Sequence, residues 1–229
     1  MEFEDIKGLY ESYKKKYGKD TYKKISLILK EAKILHHKDF LKIHPKGDHE
    51  QSWRAFKGKN LEKLIKHIIF DEVKTLGLEV INGNSLERTD NKNLSPQLDR
   101  IKRNLVVDYG EFGMHLPDVD LVIFNPKTCE VIAVLSSKVT LRERVAQTGY
   151  WKFKLMSGEG TKHIRVFFVT PDEDGTLTTK KPAKKGRAIV EMDLDGTYVM
   201  TEANIEESDK VKLLDKFIDD LKDLISKKK

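Results

Sequence analysis

Apolar positions along this chain repeat with two periods, and the places where the period changes outline the elements. In residues 53–77, Leu61, Leu64, Ile65, Ile68, Ile69 and Val73 recur at the spacing that lines one face of a helix. Residues 3–35 read as two lysine-rich amphipathic helices broken near Tyr17-Gly18-Lys19-Asp20, with Leu9, Tyr13, Ile25, Leu27, Ile28 and Leu29 as apolar anchors. The pattern then tightens. DLVIF (residues 120–124) is β-branched and aromatic enough for a buried strand, NPKT (125–128) carries turn residues, and EVIAVLSS (130–137) is apolar enough to pair back as a hairpin. HIRVFFVT (163–170) reads as a further core strand, and AIVEMD with TYVM (188–193 and 197–200) as another short hairpin. In residues 208–225, Val211, Leu214, Phe217, Ile218, Leu221 and Ile225 fall on one helix stripe. Residues 82–100 are polar and turn-rich, an exposed loop with room to embrace a partner. The expected organisation is a helical region over residues 1–50 (a cap, a dimer surface or an arm that contacts a partner), a core over 51–205, and an amphipathic helix over 206–229.

Folding the central hairpin brings reactive side chains together. Side chains two residues apart share a strand face, so Asp118 and Asp120 point the same way at the start of one strand, and Ser136 and Lys138 do so at the end of the other. Carboxylates hold a hard divalent cation such as Mg²⁺ through oxygen, and a nearby ammonium can orient or deprotonate an attacking water and offset charge on a phosphate. Asp120 precedes Lys138 by 18 residues and Asp118 by 20, and a hairpin with a short turn accommodates either as principal ligand. Pro117-Asp118 as a pair favours the first, and direct attachment to the apolar strand favours the second.

The hairpin is followed by TLRERVAQTGYWKFKL, in which Thr140 is a plausible N-cap and Arg142, Glu143 and Arg144 occupy the first helical turn. Arginine pairs bidentately with guanine O6 and N7 while glutamate accepts from cytosine N4, so this triplet suits G and C edges. Thr140 with Glu143 is also a capping box, which needs no DNA.

These residues together resemble the PD-(D/E)xK nuclease superfamily, with Asp118 or Asp120 as its first acid and Lys138 as its lysine. Ser136 stands where the motif has Asp or Glu. Type II restriction endonucleases that cut CCGG-containing sites, the BsaWI-like family among them, share that Ser-x-Lys form, and SSKVTLRERVAQTGYWK (136–152) is similar to their signature; the likeness runs over roughly residues 53–168. It implies an α/β fold with a mixed central sheet flanked by helices, with N- and C-terminal helices besides. It implies Mg²⁺-dependent phosphodiester hydrolysis of double-stranded DNA at a short palindromic G/C-containing site, with Arg142, Glu143 and Arg144 reading bases and a cognate DNA methyltransferase acting outside any physical complex. The acid that Ser136 replaces then comes from another helix, and Glu62 stands at the position that supplies it; the competing assignment pairs Glu62 with Lys66 at i,i+4. Gln147 is the nearest polar candidate on the helix after the lysine, a weaker ligand than a carboxylate. A palindrome calls for a homodimer, because a two-fold axis matches two copies of one site to two strands. A structure-specific or repair nuclease of the same fold, and a decayed nuclease that binds DNA without cutting, are the other classes compatible with these residues.

Composition changes this picture little. The net charge of +6 and pI near 9.1 suit a polyanion, although 35% charged residues also serve solubility. The basic run TTKKPAKKGR (178–187) reads as a phosphate-contacting loop or a solvated tip. The single cysteine, Cys129, excludes an internal disulfide, no run reaches transmembrane length, and the start of the chain is unlike a targeting signal, so a cytoplasmic protein without membrane partners is expected. His36, His37, His44 and His49 match no zinc spacing and read as loop and helix-end residues within reach of phosphate.

Overall fold

The computed structural model describes residues 1–87, 94–140 and 144–227, without the side chain of Arg144. Helices α1 (Phe3–Tyr17), α2 (Ile25–Ile43) and α3 (His49–Thr75) come first. The expected break between the first two falls at Gly18, whose φ of 57° is the left-handed conformation that a glycine adopts without a Cβ clash. A 3₁₀ stretch, Gly18–Lys24, links them. The second helix runs further than its apolar anchors suggest and takes in His36 and His37. Those rings pack with His49, Phe40, Trp53 and Phe56, so His36 and His37 join α2 to the start of α3 instead of lying in a loop, while His44 at the end of α2 and His49 at the start of α3 are the helix-end residues expected.

The remaining elements are β1 (Glu79–Asn82), α4 (Asn84–Glu87), α5 (Pro96–Arg103), the two-residue strands β2 (Val107–Asp108) and β3 (Met114–His115), β4 (Leu121–Phe124), β5 (Val131–Ser137), α6 (Arg144–Ser157), β6 (Arg165–Thr170), α7 (Lys185–Asp193), β7 (Gly196–Val199), β8 (Val211–Leu213) and α8 (Phe217–Ser226). Six strands form one sheet in the order β1-β4-β5-β6-β7-β8. Its first three strands are antiparallel neighbours and the last four run parallel. A tight turn suffices for the β4–β5 hairpin, whereas parallel neighbours need a crossover, which α6 provides between β5 and β6 and α7 between β6 and β7.

That requirement corrects one expectation. AIVEMD is not the first strand of a hairpin: it lies in α7, because β7 joins β6 in parallel and its chain must return along the sheet face first. The C-terminal stripe also divides. Val211 belongs to β8 and packs on one face of the sheet, while Leu214, Phe217 and Leu221 pack on the other. Residues 82–100, read as loop, include the end of β1 together with α4 and the start of α5.

The sheet separates two apolar layers. One gathers Ile6, Ile25, Ile28, Leu64 and Ile65 of the N-terminal helices with Leu121, Leu135 and Phe217; the other gathers Ile101, Val122, Val134, Val145, Phe168 and Val190. The molecule is thus mixed α/β, with helices on both faces of one sheet.

Candidate active site

Strands β4 and β5 run in opposite directions, so the residue that enters one and the residue that leaves the other lie at the same end of the sheet. Leu121 is registered against Leu135, which sets Asp120 and Lys138 beside each other. Asp120 is buried and anchored by its backbone on both sides: its N–H donates to Leu135 O at 3.0 Å and its carbonyl accepts from Gly83 N at 2.9 Å. The Lys138 ammonium donates to both carboxylate oxygens, at 3.3 Å to Oδ1 and 3.2 Å to Oδ2. Oδ2 also accepts from the Ser137 amide at 2.5 Å and the Ser137 hydroxyl at 3.2 Å.

The serine that touches the acid is therefore Ser137. Ser136, named by motif spacing, is buried in β5 and registered against Phe168 of β6. Strand alternation carried the signal: neighbouring residues leave a strand on opposite faces, and the Ser136-Ser137 pair offers a hydroxyl to each.

Helix α3 delivers the second acid. Asp48 caps it by accepting from Gln51 N at 3.1 Å, and Leu61, Leu64, Ile65, Ile69 and Val73 seat it on the sheet, which leaves Glu62 facing the end where Asp120 lies. Glu62 lies close to Asp120, and its pKa is pushed up to about 7. Burial is the largest cause, followed by the negative charge of Asp120, partly offset by Lys138, with Asp118 adding to the rise. The alternative pairing with Lys66 is not formed; that lysine donates to Asn82 Oδ1 at 3.1 Å.

Asp118 stands further out, exposed to solvent, and accepts from Gln147 Nε2 of α6 at 2.9 Å. Gln147 thus meets an acid through its amide nitrogen, which ties the helix after the lysine to the segment that leads into β4. Arg142 and Glu143 lie outside the described residues, as does the capping box with Thr140; Arg144 opens α6.

The donor set suits Mg²⁺. Among the described residues no three acids, histidines or cysteines form a closed metal cage. Mg²⁺ does not need one, because it takes one or two carboxylates and fills its other positions with water and substrate phosphate. Two carboxylates crowded together, one of them partly neutralised by a raised pKa, are a pair that a cation would relieve.

Among the described residues no helix is long and apolar enough to cross a membrane. Comparison with known proteins places the chain. A model of the family described as "BsaWI restriction endonuclease type 2" matches residues 97–220. A Methanocaldococcus jannaschii protein named "Putative type II restriction enzyme MjaVIP" is 38% identical over 183 residues, 78% of each chain. The fold is similar to that of the restriction endonuclease AgeI solved with DNA, at 15% identity and a TM-score of 0.57 over 97% of this chain and 91% of that one. It is also similar to that of PspGI with substrate DNA, at 16% identity and a TM-score of 0.53 over 90% and 78%. With a family match spanning more than half of its length and a relative aligned over most of both sequences, the chain belongs to the BsaWI family of type II restriction endonucleases, enzymes that cleave DNA.

Proposed function

We propose that this endonuclease cuts double-stranded DNA at a short palindromic, G/C-containing site of the CCGG type by Mg²⁺-dependent hydrolysis, with Asp120, Lys138 and Glu62 as its cutting centre. The observation that carries this reading is the contact of Lys138 and Glu62 with one buried carboxylate, Asp120, at one end of the sheet. Asp120 is the principal acid, since it is the one held by backbone and lysine together, and Asp118 is the outer acid. Asp120 and Glu62 would hold the ion, which supplies charge to the phosphoryl oxygens and activates water.

The protein's part in the step is positional. Lys138, fixed by Asp120, orients the attacking water and offsets the charge that grows on the phosphate; Ser137 keeps Asp120 from turning away. A P–O bond forms to the water oxygen, and the P–O bond to the leaving sugar oxygen breaks. Arg142 and Arg144 would read guanines and Glu143 a cytosine. Gln147, further along α6 from Arg144, holds Asp118, so one helix links the proposed base-reading segment to the outer acid. A homodimer places two such centres about a two-fold axis, one for each strand, and a separate methyltransferase of matching specificity protects the host's own sites.

The test is incubation of the purified protein with methylation-free plasmid in Mg²⁺ or in EDTA, followed by sequencing of the fragment ends. Discrete bands that need Mg²⁺ and share one G/C palindrome are expected. Cutting in EDTA, or ends that share no palindrome, would refute the proposed cofactor or the proposed site.

A further inference from the structure

Lys66 lies one helical turn beyond Glu62 on α3, and it differs from those sheltered lysines that pair with an acid. Lys24, Lys57, Lys152 and Lys212, all with side chains about a quarter exposed or less, each pair with a carboxylate. Lys138 pairs with Asp120. Lys66 is partly buried, yet among the described residues no acid lies within ion-pair distance of it, because Glu62 is engaged by Asp120. Its hydrogen bond is to the neutral Asn82 side chain. Burial is the cause that lowers its pKa. An ammonium taken partly out of water without a counter-charge costs free energy until an anion reaches it, and it has three N–H donors, of which Asn82 accepts one.

Its position says which anion. Asn82 ends β1 and is registered against Leu121, the residue after Asp120, while the next residue, Gly83, donates its N–H to Asp120 O at 2.9 Å. Lys66 and Asn82 therefore flank the acid on the β1 side, as Lys138 and Ser137 flank it on the β5 side. DNA whose scissile phosphate sits at Asp120 carries further phosphates along the same strand.

We infer that Lys66, aimed by Asn82, binds a backbone phosphate next to the scissile one on the strand being cut. The inference rests on Asp120, Lys138 and Glu62 being the cutting centre. It assigns Lys66 a charge contact that holds the strand in register without reading sequence.

The test uses the full chain with its cognate duplex, in Ca²⁺ to measure binding without cutting, for wild type, Lys66→Met and Lys66→Arg. One phosphate contact fewer lowers the slope of log affinity against log salt by about 0.9. Lys66→Met should show that drop and weaken binding to cognate and non-cognate DNA alike, and Lys66→Arg should restore the slope. Duplexes with single neutral methylphosphonates sharpen the result. Wild type should lose affinity when the substitution falls at one position beside the cut, and Lys66→Met should lose nothing further there. Should Lys66→Met not fold, Asn82→Ala, which keeps the lysine but releases its aim, is expected to flatten the same methylphosphonate profile. A wild-type slope together with a wild-type methylphosphonate profile in the folded variants overturns the inference. Lys138→Ala, run alongside, separates the two layers: if it cuts normally the centre itself is misassigned, whereas an inactive Lys138→Ala beside an unaltered Lys66→Met condemns the Lys66 contact alone.

Discussion

At the scale of single residues, the centre is asymmetric. Asp120 is surrounded by donors, an ammonium, an amide and a hydroxyl. Glu62 is sheltered beside that charge and is the group that holds a proton, up to about pH 7. This difference has a consequence for stability. The folded-state pKa of Glu62 lies above the ordinary carboxylate range, so its stabilising contribution is complete in acid and is lost as the pH rises through about 7. In EDTA, the thermal midpoint of wild type should fall across that window by more than that of Glu62→Gln, whose amide does not titrate; parallel curves for the two proteins would contradict the assigned environment. The meeting of Asp120 with Lys138 was legible in the sequence because a short-turn hairpin fixes which residues face each other across it, whereas Asp118, two residues earlier, meets Gln147 of α6 instead. Ser137 was hidden by a motif that counts from the lysine, and the Lys66–Asn82 pair by a contact that bridges a helix and a strand with a turn between them. Arg142 and Glu143 remain known by their chemistry alone.

At the scale of elements, what positions the centre is the close approach of chain segments. At Gly83 a Cβ would fall 2.0 Å from the Val119 carbonyl oxygen, closer than any side chain tolerates, and the same glycine donates to Asp120. Gly83→Ala should force β1 away from residues 119–120 and slow single-turnover cleavage on the order of a hundredfold, the size of effect expected from a displacement of about 1 Å. Wild-type cleavage by this variant would show that the approach is unimportant to the chemistry. The loop before α7 is held in another way. Arg187, read from sequence as part of a phosphate-contacting loop or a solvated tip, is fully buried, donates to the carbonyls of Leu177 and Glu206, and pairs with Glu191 at 2.8 Å. Arg187→Met should cost about 3 kcal/mol by removing the charge partner of Glu191 and the donor to two carbonyls, and lower the thermal midpoint by roughly 10 °C; an unchanged midpoint by calorimetry would contradict this role. The β4–β5 hairpin and α3 were readable because each shows its own period over its whole length. β1 and α7 were not, since four residues are too few to display alternation and the apolar positions of AIVEMD fit either period until the parallel pairing of β6 with β7 decides between them.

At the scale of the molecule, one sheet divides two apolar layers, and among the described residues those proposed for cutting gather at one end of it. Helix α3 from the first layer supplies Glu62, and helix α6 from the second supplies Gln147. The same two helices thus join the stable body of the protein to its chemistry, one carrying an acid and the other leading back to the proposed base-reading residues. The proposed cutting centre is the place where Lys138 and Glu62 meet Asp120. The most direct measurement is single-turnover cleavage of a methylation-free cognate duplex in Mg²⁺ by Lys138→Ala, paired with binding of the same duplex in Ca²⁺. Cleavage should fall by roughly 10²–10⁴-fold while specific binding is largely kept. Cutting at the wild-type rate would place the chemistry elsewhere in the molecule.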